Sequence, residues 1–473
     1  EYVPITVPLE DLAHRLTMAG TEVDSIESTG SYEGVVVGLA KEVGPHPDAD
    51  RLRLVQVDNG TKTLEVVCGA PNVATGQKIA FASIGAVLTD AHTGEERKLR
   101  KSKIRGVTSN GMVCSERELG MSDEHEGILV LPEDAPVGTP LGDYLGETIL
   151  DLELTPNRPD CLAVMGVARE VAALTGETAT PPSLDYPEDG PDISTLAKVE
   201  IEDPDLCRRY TATLIQGVTI GPSPDWLADR LRAIGERPIN NVVDVTNYVM
   251  FELGQPLHSF DFDELSEGRV VVRRARLGET LLTLDGETRE LTTDNLMIAD
   301  AGRPIGLGGI IGGTESGITD GTKSVLLEAA NFDGSNNRRT ASGFGVRTEA
   351  TLRFEKGLRP ELAEYGVRRA TKLILELAGG TVASGMIDEW PDHGGAVQPV
   401  ELPVSGIERL LGVSYESELV LSTLERLGME VVSGNGTYTV TPPYWRPDIT
   451  IPEDLIEELA RIIGYEMIPT LGI

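Results

Sequence analysis

The strongest constraint on the fold is a change of pattern along the chain. Residues 34–147 contain short alternating strands separated by Gly, Asn and Pro, a pattern typical of a small β-barrel. The flanking segments, 1–33 and 148–190, contain helical periodicity instead. Because surface loops tolerate insertions well, we predict that the two flanks form one split α+β domain interrupted by the barrel.

The remaining sequence adds further units, since a chain of 473 residues is too long for one hydrophobic core. After a linker rich in proline and acids, we predict an α+β domain over residues 197–395 and a small module over residues 400–473. In the small module two helices precede a hairpin turned at residues 434–436 and a final helix. This order is winged-helix-like, but the acidic final helix argues against binding to DNA.

Charge and composition exclude several classes of protein. The formal net charge of −35 disfavours general affinity for nucleic acids, so any such contact must be local. No apolar run is long enough to cross a membrane, and the first residues do not read as a signal peptide. The four cysteines form no Cys-x-x-Cys pair, which indicates reduced thiols and a cytoplasmic protein.

The main basic region of this acidic chain lies inside the predicted barrel. This basic cluster consists of Arg97, Lys98, Arg100, Lys101, Lys103 and Arg105. Such a run is usually a solvated face, but here it creates a local field on an otherwise repelling surface. The stretches HPDADRL and KIRGVTSNGMVCSERELG resemble the tRNA-binding oligonucleotide-binding (OB) module of aminoacylation proteins. We therefore predict that the basic cluster binds the tRNA backbone.

A helix followed by a turn, residues 238–265, carries many polar groups. Val242, Val245, Val249 and Leu253 recur at helical spacing, and Gly254 can end the helix. The other face of the helix carries Asp244, Thr246, Asn247 and Tyr248. The turn and the residues after it carry Gln255, Pro256, His258, Ser259, Asp261 and Asp263. Hydrogen-bonding groups beside one imidazole suit the orientation of a polar ligand and a water molecule. The alternative is an amphipathic helix whose polar face is merely solvated.

A glycine-rich run, RPIGLGGIIGG, precedes the strand-like SVLLEAANF. It matches no nucleotide-binding fingerprint, because Ile311 stands where a third dinucleotide glycine belongs, so we predict close approaches of the backbone. Glu328 interrupts the apolar strand, where an unpaired carboxylate is costly. It either points outward or meets an arginine such as Arg338 or Arg353, or else it has a function.

The chain as a whole, in this order, resembles the β subunits of bacterial phenylalanyl-tRNA synthetases. The stretches that carry the resemblance are LTPNRPDCLAVMGVAREVAALTG, RPINNVVDVTNYVMFELGQPLHSFDFDEL, GGIIGGTESGITDGTKSVLLEAANF, GVRTEATLRFEKGLRP and RPDITIPEDLIEELARIIGY. The resemblance implies a heterotetramer of two α and two β subunits, in which α uses ATP to attach phenylalanine to tRNA(Phe). Because β subunits of this family continue into further domains, the sequence resembles their N-terminal part.

The same resemblance implies an editing site in residues 197–395, a B3/B4-type domain that hydrolyses tyrosine wrongly attached to tRNA(Phe). Glu328 would recognise the tyrosine hydroxyl. The residues near the ester would be Thr246, Asn247, Pro256 and His258, and those shaping the pocket Gly312, Gly313, Thr348 and Ala350. No nucleophile triad is apparent, so we expect an oriented water. The alternative is a tRNA-binding scaffold whose editing pocket has decayed.

Four acidic residues lie around the start of the last helix: Asp448, Asp454, Glu457 and Glu458. Acids in a first helical turn are favoured by the helix dipole, which is the simpler explanation. The resemblance implies instead that these four residues bind Mg²⁺ at an interface shared with the α subunit, and oxygen ligands suit that ion.

Overall fold

The computed structural model describes residues 1–29, 32–90, 96–121, 127–393 and 397–469. Its helices are α1 (Leu9–Met18), α2 (Leu141–Leu145), α3 (Val164–Thr175), α4 (Asp225–Ala233), α5 (Val243–Leu253), α6 (Gly334–Phe344), α7 (Glu349–Glu355), α8 (Leu362–Ala378), α9 (Val404–Leu411), α10 (Ser417–Arg426) and α11 (Pro452–Ile463). Among these described helices, none combines the length and the apolar character that crossing a membrane requires.

The strands of the first part of the chain are short. They are β1 (Glu22–Thr29), β2 (Val35–His46), β3 (Ala49–Asp58), β4 (Thr63–Cys68), β5 (Lys78–Ser83), β6 (Val87–Thr89), β7 (Glu96–Lys98), β8 (Ser102–Ile104), β9 (Val107–Ser109), β10 (Gly111–Val113), β11 (Val130–Leu131) and β12 (Glu147–Glu153). Within the described residues 1–29, no strand forms before α1, and β1 follows that helix.

The later strands belong to the predicted α+β domain and to the predicted small module. They are β13 (Lys198–Ile201), β14 (Cys207–Gln216), β15 (Leu257–Asp261), β16 (Arg269–Arg274), β17 (Thr280–Leu282), β18 (Thr288–Glu290), β19 (Leu296–Ala299), β20 (Pro304–Leu307), β21 (Ile311–Gly312), β22 (Ser324–Phe332), β23 (Thr381–Val382), β24 (Ile387–Glu389), β25 (Val400–Pro403), β26 (Glu430–Gly434) and β27 (Thr437–Thr441).

The chain divides into two compact units. One consists of Glu1–Val23 together with Leu152–Ile473, and the other is Asp24–Asp151. The inserted unit begins ten residues before the predicted start of the barrel and ends four residues after its predicted end. It is longer because β1 and β12 pair with each other. The finer division into separate domains stays a prediction.

The inserted unit contains a sheet whose two ends approach each other. Its strands follow the order β10–β5–β2–β3–β4, and β11 pairs with β5. Next to β10, the backbone N–H of Asn110 donates to the carbonyl of Glu65 on β4, with an N–O distance of 3.1 Å. The sheet is therefore nearly closed and barrel-like, around a core that includes Val55, Val57 and Phe81.

Two five-stranded sheets pack face to face in the larger unit. One has the order β15–β22–β14–β23, with β24 also on β14, and the other has the order β13–β16–β19–β20–β21. Tyr210, Leu326 and Ala330 of the first sheet share a core with Val270 and Ile298 of the second. Alternate residues face the two sides of a strand, so the opposite face of the first sheet packs against α4, α5 and α8.

The end of the chain forms a small α/β module in the same compact unit. Three strands in the order β25–β27–β26 pack with α9, α10 and α11, and the predicted helix-helix-hairpin-helix order is present. Leu424, Leu455 and Leu459 belong to its core, which also includes Ala173 of α3. The module is therefore packed directly on the helix that follows the inserted unit.

Candidate functional site

The predicted helix in residues 238–265 forms as α5. The side-chain oxygen of Asn240 accepts hydrogen bonds from the backbone N–H groups of Val242 and Val243, and Gly254 ends the helix at φ +92°. Val245 and Val249 are fully buried against the sheet. This packing turns Thr246 and Asn247 toward a cavity on the other side of the helix.

The turn after α5 is fixed by Gln255 and leads directly into β15. The side-chain amide of Gln255 donates to the carbonyls of Pro256 and Ala330, at 2.8 and 2.9 Å. In β15, His258 lies directly opposite Glu328 of β22. Cross-strand partners share one face of a sheet, so the imidazole and the carboxylate face the same side.

Glu328 points inward and is paired with a tyrosine. Its side chain is 5% exposed, and the Tyr210 hydroxyl donates to its Oε2 atom at 2.6 Å. The outward orientation and the arginine pairing considered above are therefore wrong, and Arg353 pairs with Glu349 instead. Burial raises the pKa of Glu328 from 4.5 to about 7, although the hydrogen bond from Tyr210 opposes this rise.

His258 is a neutral imidazole. Its ring packs edge-on against Phe260, with ring centres 4.5 Å apart. Its Nε2 atom is shielded from solvent and has no hydrogen-bond partner among the described residues. Burial lowers the pKa of His258 to about 4, so the ring carries no charge at neutral pH and offers one donor and one acceptor.

Two glycines allow the backbone to approach this site closely, as the sequence predicts. A Cβ atom on Gly312 would lie 2.4 Å from Cε1 and 2.7 Å from Nε2 of His258. A Cβ atom on Gly313 would lie 2.7 Å from the carbonyl oxygen of Ile305. Gly312 therefore makes room for the imidazole, whereas Gly313 supports the strand pairing behind it.

The N-terminus of α7 closes another side of the site. Thr348 caps this helix: its hydroxyl accepts from the Thr351 N–H at 3.2 Å, and the Thr351 hydroxyl accepts from the Thr348 N–H at 2.9 Å. The cap fixes Thr348 and Ala350 at the cavity wall. On the facing helix, the Thr246 hydroxyl donates to the Val243 carbonyl at 2.6 Å, so it faces the cavity as an acceptor.

Eight of the nine predicted site residues line two adjoining cavities. The outer cavity, of about 700 Å³, is lined by Thr246, Asn247, His258, Gly312, Thr348 and Ala350. The inner cavity, of about 90 Å³, is lined by Pro256, His258, Gly312, Glu328 and Ala350 together with apolar residues. Gly313 lines neither cavity. A cavity of about 150 Å³ holds a benzene molecule, so a phenol ring would fill the inner cavity and extend into the outer one.

Sequence reasoning missed Tyr210, Leu284 and Glu236. Tyr210 pairs with Glu328, and the other two line the outer cavity. The alternation in CRRYTATLIQ assigns Tyr210 to one face of a strand, but it does not show which residue lies beside it. A larger cavity, of about 740 Å³, lies around Arg169, Tyr365 and Trp445, and none of the nine predicted residues lines it.

The basic cluster lies on exposed strands and turns of the inserted unit. β7 carries Lys98 and pairs with β6, and β8 carries Lys103 and forms a hairpin with β9. The hairpin turns at Arg105 and Gly106, with φ angles of +47° and +89°. All six members are exposed. One of the six, Arg97, forms an ion pair with Asp90 at 2.7 Å.

The four acidic residues proposed as metal ligands are not gathered into a metal site. Arg446 donates to both Asp448 and Glu458, and Asp454 accepts from two backbone N–H groups at the start of α11. No group of three or more His, Cys, Asp or Glu side chains within the described residues could hold a metal ion. Two of the four carboxylates, Asp448 and Glu458, are already paired with the guanidinium of Arg446, which opposes the binding of a dication beside them.

Three known domain families match most of the chain. Residues 35–140 match the putative tRNA binding domain, residues 206–379 the B3/4 domain and residues 400–465 the tRNA synthetase B5 domain. The candidate site lies within the B3/4 match, and the basic cluster lies within the tRNA-binding match. These matches define a multidomain protein of the tRNA synthetase class.

Relatives identify the particular family. The chain is 50% identical to the phenylalanine–tRNA ligase beta subunit of Dehalococcoides mccartyi, over 100% of this chain and 60% of that protein. It is 48% identical to the corresponding subunit of Moorella thermoacetica and 46% identical to that of Geobacter sulfurreducens, over 99% of this chain and 58% of each relative. The chain belongs to the family of phenylalanine–tRNA ligase beta subunits, and it spans about 60% of the length of these relatives.

Proposed function

We propose that this chain is the tRNA-binding and editing part of a phenylalanine–tRNA ligase β subunit. It works in the cytoplasm with a separate α subunit, as two α and two β chains, and α uses ATP and Mg²⁺ to attach phenylalanine to tRNA(Phe). The β chain hydrolyses Tyr-tRNA(Phe). The observation that carries this proposal is the Glu328 carboxylate, which lines an apolar cavity beside His258.

Physical chemistry explains the need for a second site. A pocket shaped for phenylalanine cannot strongly reject a molecule that adds one hydroxyl, and such discrimination is on the order of 100-fold. A site that requires the hydroxyl discriminates in the opposite direction, because phenylalanine would leave a buried acceptor without a partner. The inner cavity combines apolar walls for a ring with one carboxylate, which supports this role.

The outer cavity supports hydrolysis by a positioned water. Asn247 offers an amide with no hydrogen bond to the described residues, Thr246 offers an acceptor, and neutral His258 offers one donor and one acceptor. Water adds to the carbonyl carbon of the ester, the bond to the ribose oxygen breaks, and that oxygen takes a proton. Polar groups close to the ester and the water accelerate this step by orientation.

The test compares two variants on two substrates. In the assembled α/β enzyme, Glu328→Ala should slow hydrolysis of Tyr-tRNA(Phe) by roughly 10- to 150-fold, the value of a hydrogen bond to a charged acceptor. Hydrolysis of Phe-tRNA(Phe) should stay the same or rise. His258→Ala should slow the reaction without changing the preference for tyrosine, because its place is near the ester.

The control for Glu328→Ala is Glu328→Gln, which keeps the shape and a neutral acceptor and should retain part of the preference. If Glu328→Ala lowered hydrolysis of both substrates equally, Glu328 would have a structural role only. If the wild type hydrolysed neither substrate, the chain would be a tRNA-binding scaffold with a decayed pocket.

Magnesium has no step in this function of the β chain. In the described residues, Asp448 and Glu458 are already bound by Arg446, so we assign the Mg²⁺ requirement to the ATP-using α subunit. The acidic start of α11 then has the simpler role of capping its helix, as the hydrogen bonds to Asp454 indicate.

A further inference from the structure

Tyr210 is a buried residue in direct contact with the carboxylate that we assign to tyrosine recognition. It lies on β14, where Ala212 is directly opposite Glu328 and Tyr210 is two residues along the strand. A diagonal neighbour on the same face lies within reach of a long aromatic side chain. The Tyr210 hydroxyl therefore reaches Glu328 Oε2 at 2.6 Å, although its ring is fully buried in the core between the sheets.

This contact makes the two oxygen atoms of Glu328 different. Oε2 is occupied by Tyr210, whereas Oε1 has no hydrogen bond to the described residues. The carboxylate lines the inner cavity, whose other described lining residues, apart from His258, have no ionisable group. One oxygen is thus fixed in the core, and the other is left as an acceptor for a ligand.

We propose that Tyr210 is a positioning residue for the recognition of tyrosine. Its hydroxyl holds one oxygen of Glu328, and the other oxygen accepts the phenol of the mischarged amino acid. This role rests on the editing function proposed above and adds to it a second residue that sets specificity. Without the Tyr210 hydroxyl, the Glu328 side chain loses the contact that fixes its direction.

The protonation of Glu328 gives this role a distinct signature. The ionisable groups that face its carboxylate are Tyr210 and Cys207 on β14 and His258 on β15, and all three are neutral at pH 7. The second sheet and α7 contribute only apolar or glycine residues to the inner cavity. Because Tyr210 donates to the charged form of Glu328, removing its hydroxyl should raise the pKa of Glu328 above its value of about 7.

The experiment is Tyr210→Phe in the assembled α/β enzyme, with hydrolysis of Tyr-tRNA(Phe) and Phe-tRNA(Phe) measured from pH 6 to 8.5 after subtraction of spontaneous hydrolysis. We define selectivity as the rate of Tyr-tRNA(Phe) hydrolysis divided by that of Phe-tRNA(Phe) hydrolysis. A neutral carboxyl group is a weaker acceptor than a carboxylate, so the selectivity of the wild type should rise with pH through about 7. In Tyr210→Phe, selectivity at pH 7 should fall roughly tenfold, and its rise should move to higher pH.

The matched control is Tyr438→Phe, which removes another buried tyrosine hydroxyl, bonded to Ser417 in the C-terminal module at 2.9 Å. It should leave selectivity and its pH profile unchanged. If Tyr210→Phe kept the selectivity and the pH profile of the wild type, the inference would be overturned. An equal loss of hydrolysis rate with both substrates would also overturn it.

A titration of ¹³C-labelled glutamate by NMR measures the pKa of Glu328 without turnover. It should show a higher pKa for Glu328 in Tyr210→Phe than in the wild type, and an unchanged pKa would overturn the inference. If the wild type hydrolyses no Tyr-tRNA(Phe), the editing function fails, and the titration alone then decides whether Tyr210 controls the Glu328 carboxylate.

Discussion

Gly312 occupies a position in the candidate site where no side chain fits. A Cβ atom there would overlap the His258 ring, and it would also lie 3.2 Å from Cδ1 of Leu284. We predict that Gly312→Ala displaces the imidazole and lowers Tyr-tRNA(Phe) hydrolysis by roughly tenfold or more, since small misplacements near a reacting group are costly. Overpacking should also lower the free energy of unfolding by about 1–3 kcal/mol. Deacylation kinetics and chemical denaturation measure the two effects.

The matched control for this change is Gly343→Ala. Gly343 is exposed near the end of α6, and a Cβ atom there meets nothing within 4 Å. Alanine favours the helix there, so this variant should keep its activity and gain up to about 1 kcal/mol in stability. Full deacylation activity in Gly312→Ala would mean that His258 can move without loss, which contradicts its placement near the ester.

The roles of single residues could be predicted from the sequence where they depend only on neighbouring residues in the chain. The glycine that ends α5 and the close backbone approaches of the glycine-rich run could be read from local patterns. The nine site candidates were instead implied by the family resemblance, and the structure brings eight of them to adjoining cavities. The partner of Glu328 could not be read. Arginine is the usual partner of a buried acid, but the register of β14 and β22, 118 residues apart in sequence, places Tyr210 there instead.

At the scale of secondary-structure elements, the basic hairpin region should contact tRNA. Lys98, Lys101 and Lys103 are exposed on β7, β8 and the segment between them. Replacing all three with alanine should weaken tRNA(Phe) binding. It should also reduce the slope of log K against log salt by about one unit per lost phosphate contact, because fewer counterions are released. Filter binding or fluorescence anisotropy over a salt series measures both quantities.

A charge-matched triple variant of other lysines in the same unit, Lys41, Lys62 and Lys78, controls for the loss of net charge. It should lower affinity less and change the slope less than the cluster variant. Equal effects from the two variants would mean that general charge, and not the basic cluster, attracts tRNA.

The elements themselves differed in how well sequence reveals them. Helices α5 and α11 and the hairpin of β26 and β27 carry their own caps and turn residues, so local patterns predict them. The sandwich that holds the site does not, because β15, β22 and β14 are neighbours in space but not in sequence. Strand order and register depend on contacts between distant segments, which no local pattern encodes.

At the scale of the whole larger unit, a buried network of charges joins the helix after the insertion to the C-terminal module. Glu170 of α3 accepts from Arg158 and Arg461, and Arg461 also donates to Glu458 of α11. The side chains of these four residues are at most 8% exposed. Sequence reasoning did not find this network, since its members lie up to 303 residues apart, and it considered Glu458 as a metal ligand instead.

This network predicts that the junction between α3 and α11 weakens in acid. Burial alone would raise the pKa of Glu170, but the guanidinium groups of Arg461 and Arg158 outweigh burial and lower it from 4.5 to about 2. A carboxylate whose pKa is lower in the folded state stabilises the fold above the unfolded pKa. That stabilisation should therefore be lost as pH falls from about 4.5 to about 2, and hydrogen exchange of α3 and α11 should rise in that range.

Glu170→Gln should cost on the order of 3–5 kcal/mol at neutral pH, since it leaves buried guanidinium groups unpaired, and it should remove this contribution to the pH dependence. Glu315→Gln, in an exposed pair with Arg303, should cost no more than about 1 kcal/mol. If Glu170→Gln kept the wild-type stability at pH 7, the network would contribute nothing to holding the C-terminal module on α3.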